Sequence, residues 1–138
     1  MDSLPVFSTS ARRALALARE AAVAERALAI GPEHVLLGLL AEPTGEARPL
    51  VPPAVRTALG IGGHPDTFTP TDPAADLALP YTPSSKRAII AAGSESAREG
   101  AAVATPRHVL IALVLDPDTD VGRALRAAGL SPEHLREL

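Results

Sequence analysis

Cysteine is absent from the 138 residues, which removes disulfides, thiol catalysis and cysteine-ligated metals together. Tryptophan is absent too, and Phe7, Phe68 and Tyr81 are the whole aromatic complement. With so few aromatics, and an apolar fraction of 46% carried mainly by Ala, Leu and Val, closely packed small-residue helices are favoured over sheets. No long apolar run occurs, and Met1 to Phe7 has neither a basic nor an apolar signal region, so the expected compartment is the cytoplasm, with no membrane partner. Positive charge is scarce: the formal net charge is −3, and no global field draws the chain to nucleic acid. Lys86 is the only lysine, in Ser84-Ser85-Lys86-Arg87. No G-x-x-x-x-G-K-[ST] phosphate loop can be built from it, so ATP hydrolysis by that route is excluded.

What the chain has instead is a duplication. Gly31 to Glu42 reads G-P-E-H-V-L-L-G-L-L-A-E, and seventy-four residues later Thr105 to Asp116 reads T-P-R-H-V-L-I-A-L-V-L-D. The register holds without a gap from Phe7/Tyr81 to Pro43/Pro117, where 12 of 37 pairs are identical. Roughly three or four would be expected by chance in so alanine-rich a sequence, so internal repetition is the primary inference. Pro32 and Pro106 suit a first helical position, with Gly31 and Thr105 as N-caps. The residues after them leave little polar face, which predicts a buried helix in each repeat.

Ser8, Thr9 and Ser10 offer caps for a first helix from Ala11 to about Leu28, with Ala14, Leu15, Ala18, Ala21, Ala22 and Glu25 at helical spacing. Its mate is expected from Pro83 or Ser84 to Gly100, with Ala88, Ile89, Ala92 and Ala97 inward. Phe7 and Tyr81 read as packing staples beside the caps. In the second half, Asp120 to Ala128 closed by Gly129, and Ser131-Pro132 to Leu138, predict two more helices. In the first half Pro49, Pro52 and Pro53 forbid a full third helix and leave only Ala54 to Leu59. The Gly- and Pro-rich stretch 60–80, with Phe68 and Leu77, reads as a linker between a first repeat, 1–59, and a second, 81–138. The expected fold is all-α, of two repeats with about four helices each.

The pattern of an aromatic, a hydroxyl residue and a basic helix start, followed by G-x-E-H-V-L-L-G-L in the first copy and T-x-R-H-V-L-I-A-L in the second, resembles the Clp N-terminal repeat domain of ClpC-type Hsp100 unfoldases. The matching segments are Phe7 to Glu42 and Tyr81 to Asp116, with Val121 to Leu138 also similar. The resemblance implies a pseudo-twofold helical domain, stand-alone or excised from its AAA+ modules. It also implies a non-enzymatic role: docking adaptors or degradation substrates for an ATP-driven Clp unfoldase and protease, with no cofactor.

It further implies a phosphoarginine site, in which a glutamate holds the guanidinium and a hydroxyl helps to bind phosphate. Those roles fall on Glu33 and Ser8 in the first repeat. In the second, Thr82 keeps the hydroxyl while Arg107 replaces the glutamate, so that pocket is expected to be lost to a guanidinium and open to a phosphate or carboxylate. The plain alternative for Glu33 is an acid that favours its helix dipole. Phe7, Arg12, Arg13, Tyr81, Lys86 and Arg87 lie on the expected seam between the halves, which resembles a docking site for cyclic-peptide antibiotics; sequestering such compounds is the alternative function. His34 and His108 lack metal-ligand spacing to each other, to His64 or to His134, and are expected to cap or bridge helices, with no metal. Glu95, Glu99 and Asp116 to Asp120 read as solvated faces and a loop, and Gly93-Ser94-Glu95-Ser96 is no nucleophile elbow, so no catalytic residue is assigned.

Overall fold

The computed structural model describes residues 6–42, 46–59 and 79–138. Most of the expected linker, including His64, Phe68 and Leu77, lies outside the described residues, as does Pro43. The described residues form seven α-helices: α1 Thr9–Ala24, α2 Pro32–Ala41, α3 Pro53–Leu59, α4 Pro83–Arg98, α5 Pro106–Leu115, α6 Asp120–Ala127 and α7 Pro132–Arg136. A 3₁₀ turn at Arg48–Leu50 precedes α3. The chain is all-α, as its composition predicts, and α1 and α4, like α2 and α5, start and stop at positions related by the repeat offset.

The apolar helices α2 and α5 are the interior. His34 to Ala41 is buried in α2 and His108 to Val114 in α5, with Leu36, Leu39, Leu110, Ile111 and Leu113 nearly inaccessible. Each such side chain contributes about 1.5–3 kcal/mol by leaving water, so these two helices supply most of the cohesion. α1 packs along α2 and α4 along α5, while α6 and α7 close on α5 and α3 on α6. The α1–α2 approach is the closer one. A Cβ at Gly38 would stand 2.0 Å from the Ala14 carbonyl oxygen and 2.8 Å from the Ala18 nitrogen.

The two halves are stitched reciprocally. Phe7 bridges Ala104 in parallel, and its repeat mate Tyr81 bridges Ile30, the mate of Ala104. The Ser8 amide donates to the Ala104 carbonyl at 2.9 Å and the Ala104 amide to Val6 at 2.8 Å. The Thr82 amide donates to Ile30 at 3.0 Å and the Ile30 amide to Pro80 at 2.8 Å. Such an exchange is the signature of a twofold relation, here inside one chain.

Three expectations about helix extent and faces are corrected. α1 ends at Ala24, four residues before Leu28, because Glu25 is its C-cap and Arg26 turns left-handed at φ 57°. The Arg26 amide donates to Val23 and the Ala27 amide to Ala22, the Schellman pattern that terminates helices. Gly100 holds the same place after α4 at φ 73°. Ala97, expected inward, is exposed, and Glu95 and Ser96 are buried in its stead. The last helix stops at Arg136, short of Leu138.

Candidate functional site

The N-termini of α1 and α4 are capped by the hydroxyls singled out in the sequence. Ser8 Oγ accepts from the Ala11 amide at 3.2 Å and lies 3.3 Å from Ser10 Oγ. Thr82 Oγ1 accepts from the Ser85 amide at 3.2 Å, with Ser84 Oγ 3.2 Å away. Because the halves pair crosswise, these caps face the opposite repeat. Thr82 is hydrogen-bonded to Ile30, which leads into the α2 start that carries Glu33. Ser8 is hydrogen-bonded to Ala104, which leads into the α5 start that carries Arg107. The backbone thus ties Thr82 to the segment that leads to Glu33, and Ser8 to the segment that leads to Arg107.

Each of those helix starts is built on a histidine. The Gly31 amide donates to His34 Nδ1 at 2.9 Å, and the Thr105 amide to His108 Nδ1 at 2.9 Å. With Nδ1 accepting, Nε2 carries the ring proton. His34 Nε2 donates to Glu25 at 2.9 Å and His108 Nε2 to Glu99 at 2.9 Å. The imidazoles thus cap α2 and α5 and tie them to the ends of α1 and α4, the bridging role expected of them. Glu25, read only for its helical spacing, and Glu99, read as a solvated face, complete the device. Their signal was available: both repeats carry an identical glutamate nine residues before the histidine.

Beyond this shared frame the two sites diverge. In the first, Glu33 follows Pro32 with a side chain 46% accessible and an oxygen 3.8 Å from His34 Nδ1. Glu25 and Glu33 both meet His34 there, Glu25 at Nε2 and Glu33 near Nδ1. In the second, Arg107 grips Glu99 with two parallel bonds, Nη1 to Oε2 and Nη2 to Oε1, both 2.8 Å. Arg107 Nη1 also donates to the Leu135 carbonyl at 3.1 Å, and its amide donates to Glu46 at 3.2 Å. The Arg107 bonds, helped by His108 and opposed by desolvation, hold the Glu99 carboxyl down at about 2. Arg107 is raised in turn, chiefly by its bonds to Glu99.

The acidic residues read as solvated are thus partly structural. Glu95 is buried on Arg136, with Nε and Nη2 each 2.9 Å from a carboxylate oxygen, which lowers its pKa. Asp116 accepts from Arg87 at 3.2 Å. Of the seam residues, Phe7 and Tyr81 are half-buried against the core, and burial raises the Tyr81 hydroxyl against the opposing charge of Arg19. Arg12, Arg13, Lys86 and Arg87 are exposed near the starts of α1 and α4. Among the described residues no three histidine or carboxylate side chains converge as a metal site, and no helix is long and apolar enough to cross a membrane.

Residues 6–54 match the family described as the Clp repeat (R) N-terminal domain. Over 136 residues, 95% of this chain, the sequence is 28% identical to the negative regulator of genetic competence ClpC/MecB of Bacillus subtilis. It is 26% identical, again over 95% of its length, to the chaperone protein ClpB of Oceanobacillus iheyensis. The chain spans 16% of the length of each of these relatives. The crystal structure of the N-terminal domain of the caseinolytic protease associated chaperone ClpD from Arabidopsis thaliana superimposes with a TM-score of 0.66 at 23% identity, covering 95% of this chain and 92% of that one. That likeness establishes a shared fold.

Proposed function

From a chain with the fold and repeat motif of a Clp N-terminal domain, we propose a non-enzymatic docking module that recruits adaptors or degradation substrates for Clp-type, ATP-dependent proteolysis. In this reading residues 1–59 and 81–138 are the two repeats and 60–80 joins them. The partner feature recognised is a phosphorylated arginine, bound where the halves cross. The observation that carries this is the reciprocal pairing. It sets the hydroxyl cap and positive helix start of α4 beside the α2 start, whose Glu33 carboxylate is accessible. Glu33 accepts the guanidinium, and Thr82 with the α4 N-terminus receives the phosphate. The other crossing offers Ser8 but meets it with a cation already engaged by Glu99.

A charge-assisted contact of this kind is worth about 1.5–3 kcal/mol, or roughly tenfold to a hundredfold in affinity. Calorimetric titration with a phosphoarginine peptide is expected to give one site per chain. Glu33→Ala should lose at least tenfold (about 1.4 kcal/mol), while Arg107→Ala should keep the wild-type affinity. No binding by the wild type, or equal losses in both variants, would refute the reading.

A further inference from the structure

The second repeat contains a guanidinium on a carboxylate, and the guanidinium belongs to the chain itself. Glu99 is presented as a receptor would present it. His108 holds Oε1 from one side at 2.9 Å, and is itself fixed by the Thr105 amide on Nδ1. Arg107 fills the remaining face with both terminal nitrogens, and the Leu135 carbonyl takes a third bond. The Arg107 side chain is 14% accessible. Planar, two-point pairing with a carboxylate is what a guanidinium does and an ammonium cannot. The first repeat supplies an internal comparison. Glu25 stands in the same relation to His34, at the same 2.9 Å, with a side chain 38% accessible against 27% for Glu99. The two repeats thus share one histidine-oriented carboxylate and differ in the residue before the histidine, Glu33 in the first and Arg107 in the second.

We propose that Arg107 is a cis-acting ligand: its guanidinium occupies a guanidinium-binding site formed by the Glu99 carboxylate and the Leu135 carbonyl, so the second repeat is closed by its own side chain. The duplicated domain is then monovalent by occupation, and not by absence of a second site. Removing Arg107 exposes a site for external guanidinium compounds, arginine side chains among them.

Because this rests on reading the domain as a receptor for guanidinium groups, the deciding probe carries no phosphate. Thermal melts of Arg107→Ala are recorded with low-millimolar methylguanidinium or methylammonium, beside the wild type and the double variant Arg107→Ala/Glu99→Gln. The expected result is a lowered melting temperature in Arg107→Ala, of which methylguanidinium restores at least half and methylammonium little, with no restoration in the double variant. Equal effects of the two cations, or restoration that survives Glu99→Gln, overturns the proposal. Should Arg107→Ala not fold, Arg107→Gln is scored by the same two criteria. Arg107→Glu, titrated with the phosphoarginine peptide, separates the two ideas. If methylguanidinium rescues as described and the peptide binds no variant, the cis-ligand assignment stands and the phosphoarginine reading falls.

Discussion

Placing one methyl group on Gly38 tests the architecture that positions the site. Its Cβ would lie 2.0 Å from the Ala14 carbonyl oxygen and 2.8 Å from the Ala18 nitrogen, both backbone atoms of α1. No side-chain rotation relieves such a contact, and reaching ordinary separation means moving α1 off α2 by more than an ångström. Overpacking of a dense core costs about 1–3 kcal/mol, and a backbone collision belongs at the upper end. Replacing glycine by alanine inside a helix returns about 1 kcal/mol of propensity. Gly38→Ala should therefore lose about 2 kcal/mol net, equivalent to a melting temperature lower by roughly 5–10 °C for a chain of this size. The repeat mate Ala112 provides a control, since α4 and α5 already accommodate a methyl there. Ala112→Gly should also lose stability, by about 1 kcal/mol or more, through propensity and the lost methyl. The assay is thermal and urea unfolding followed by circular dichroism. A Gly38→Ala protein that melts with or above the wild type would refute the close approach of α1 and α2, and with it the geometry that lets Glu25 reach His34.

Two further outcomes follow from helix ends and ion pairs. Arg26 sits at φ 57° where the second repeat uses Gly100, so Arg26→Gly should stabilise by about 0.5–1 kcal/mol through relief of left-handed strain, read as a higher urea midpoint at unchanged slope. Glu99 titrates near 2 in the folded chain, against an ordinary 4.5, and Glu95 is lowered as well; the unfolded chain binds these protons first, so their stabilisation is complete above about pH 5 and fades as pH falls toward 2. Glu99→Gln should flatten that acid limb in melts taken across pH, and an unchanged slope would contradict the pairing.

Much of this molecule is legible in its residues because two kinds of signal agree. The apolar blocks after Pro32 and Pro106 define buried helices, and their repetition defines the partner helices at the same offset. What misled was local. The run from Ala11 to Leu28 has helical spacing throughout, and nothing in its periodicity marks Arg26, because a helix end that uses arginine where glycine is usual leaves no compositional trace. Ala97 and Glu95 exchange faces for a different reason. Spacing alone ranks alanine as the inward residue, yet Arg136, forty-one positions away, makes burial of the carboxylate tolerable by pairing with both its oxygens.

The backbone exchange between the halves was hidden by the feature that made the fold readable. A repeat in sequence invites each hydroxyl to be matched with the charged helix-start residue of its own copy, Ser8 with Glu33 and Thr82 with Arg107. Two copies related by a dyad can instead exchange their leading segments, so that every contact is made twice and across the boundary. Ser8 and Thr82 obey that second rule. The consequence for the proposed site is a coupling that the linear order conceals: the segment ahead of each helix start is held by the other repeat. Arg107 is a case in point. By sequence it is a defect in the second copy's motif, whereas by contact it joins Glu99 of the second repeat, Leu135 of the last helix and Glu46 of the first repeat. A residue holding three parts of the chain together is under structural constraint whatever it binds. A change at position 107 should therefore move stability and ligand valency together, and a change at Glu33, whose side chain is 46% accessible and stands 3.8 Å from His34 Nδ1, should move affinity with stability nearly unchanged.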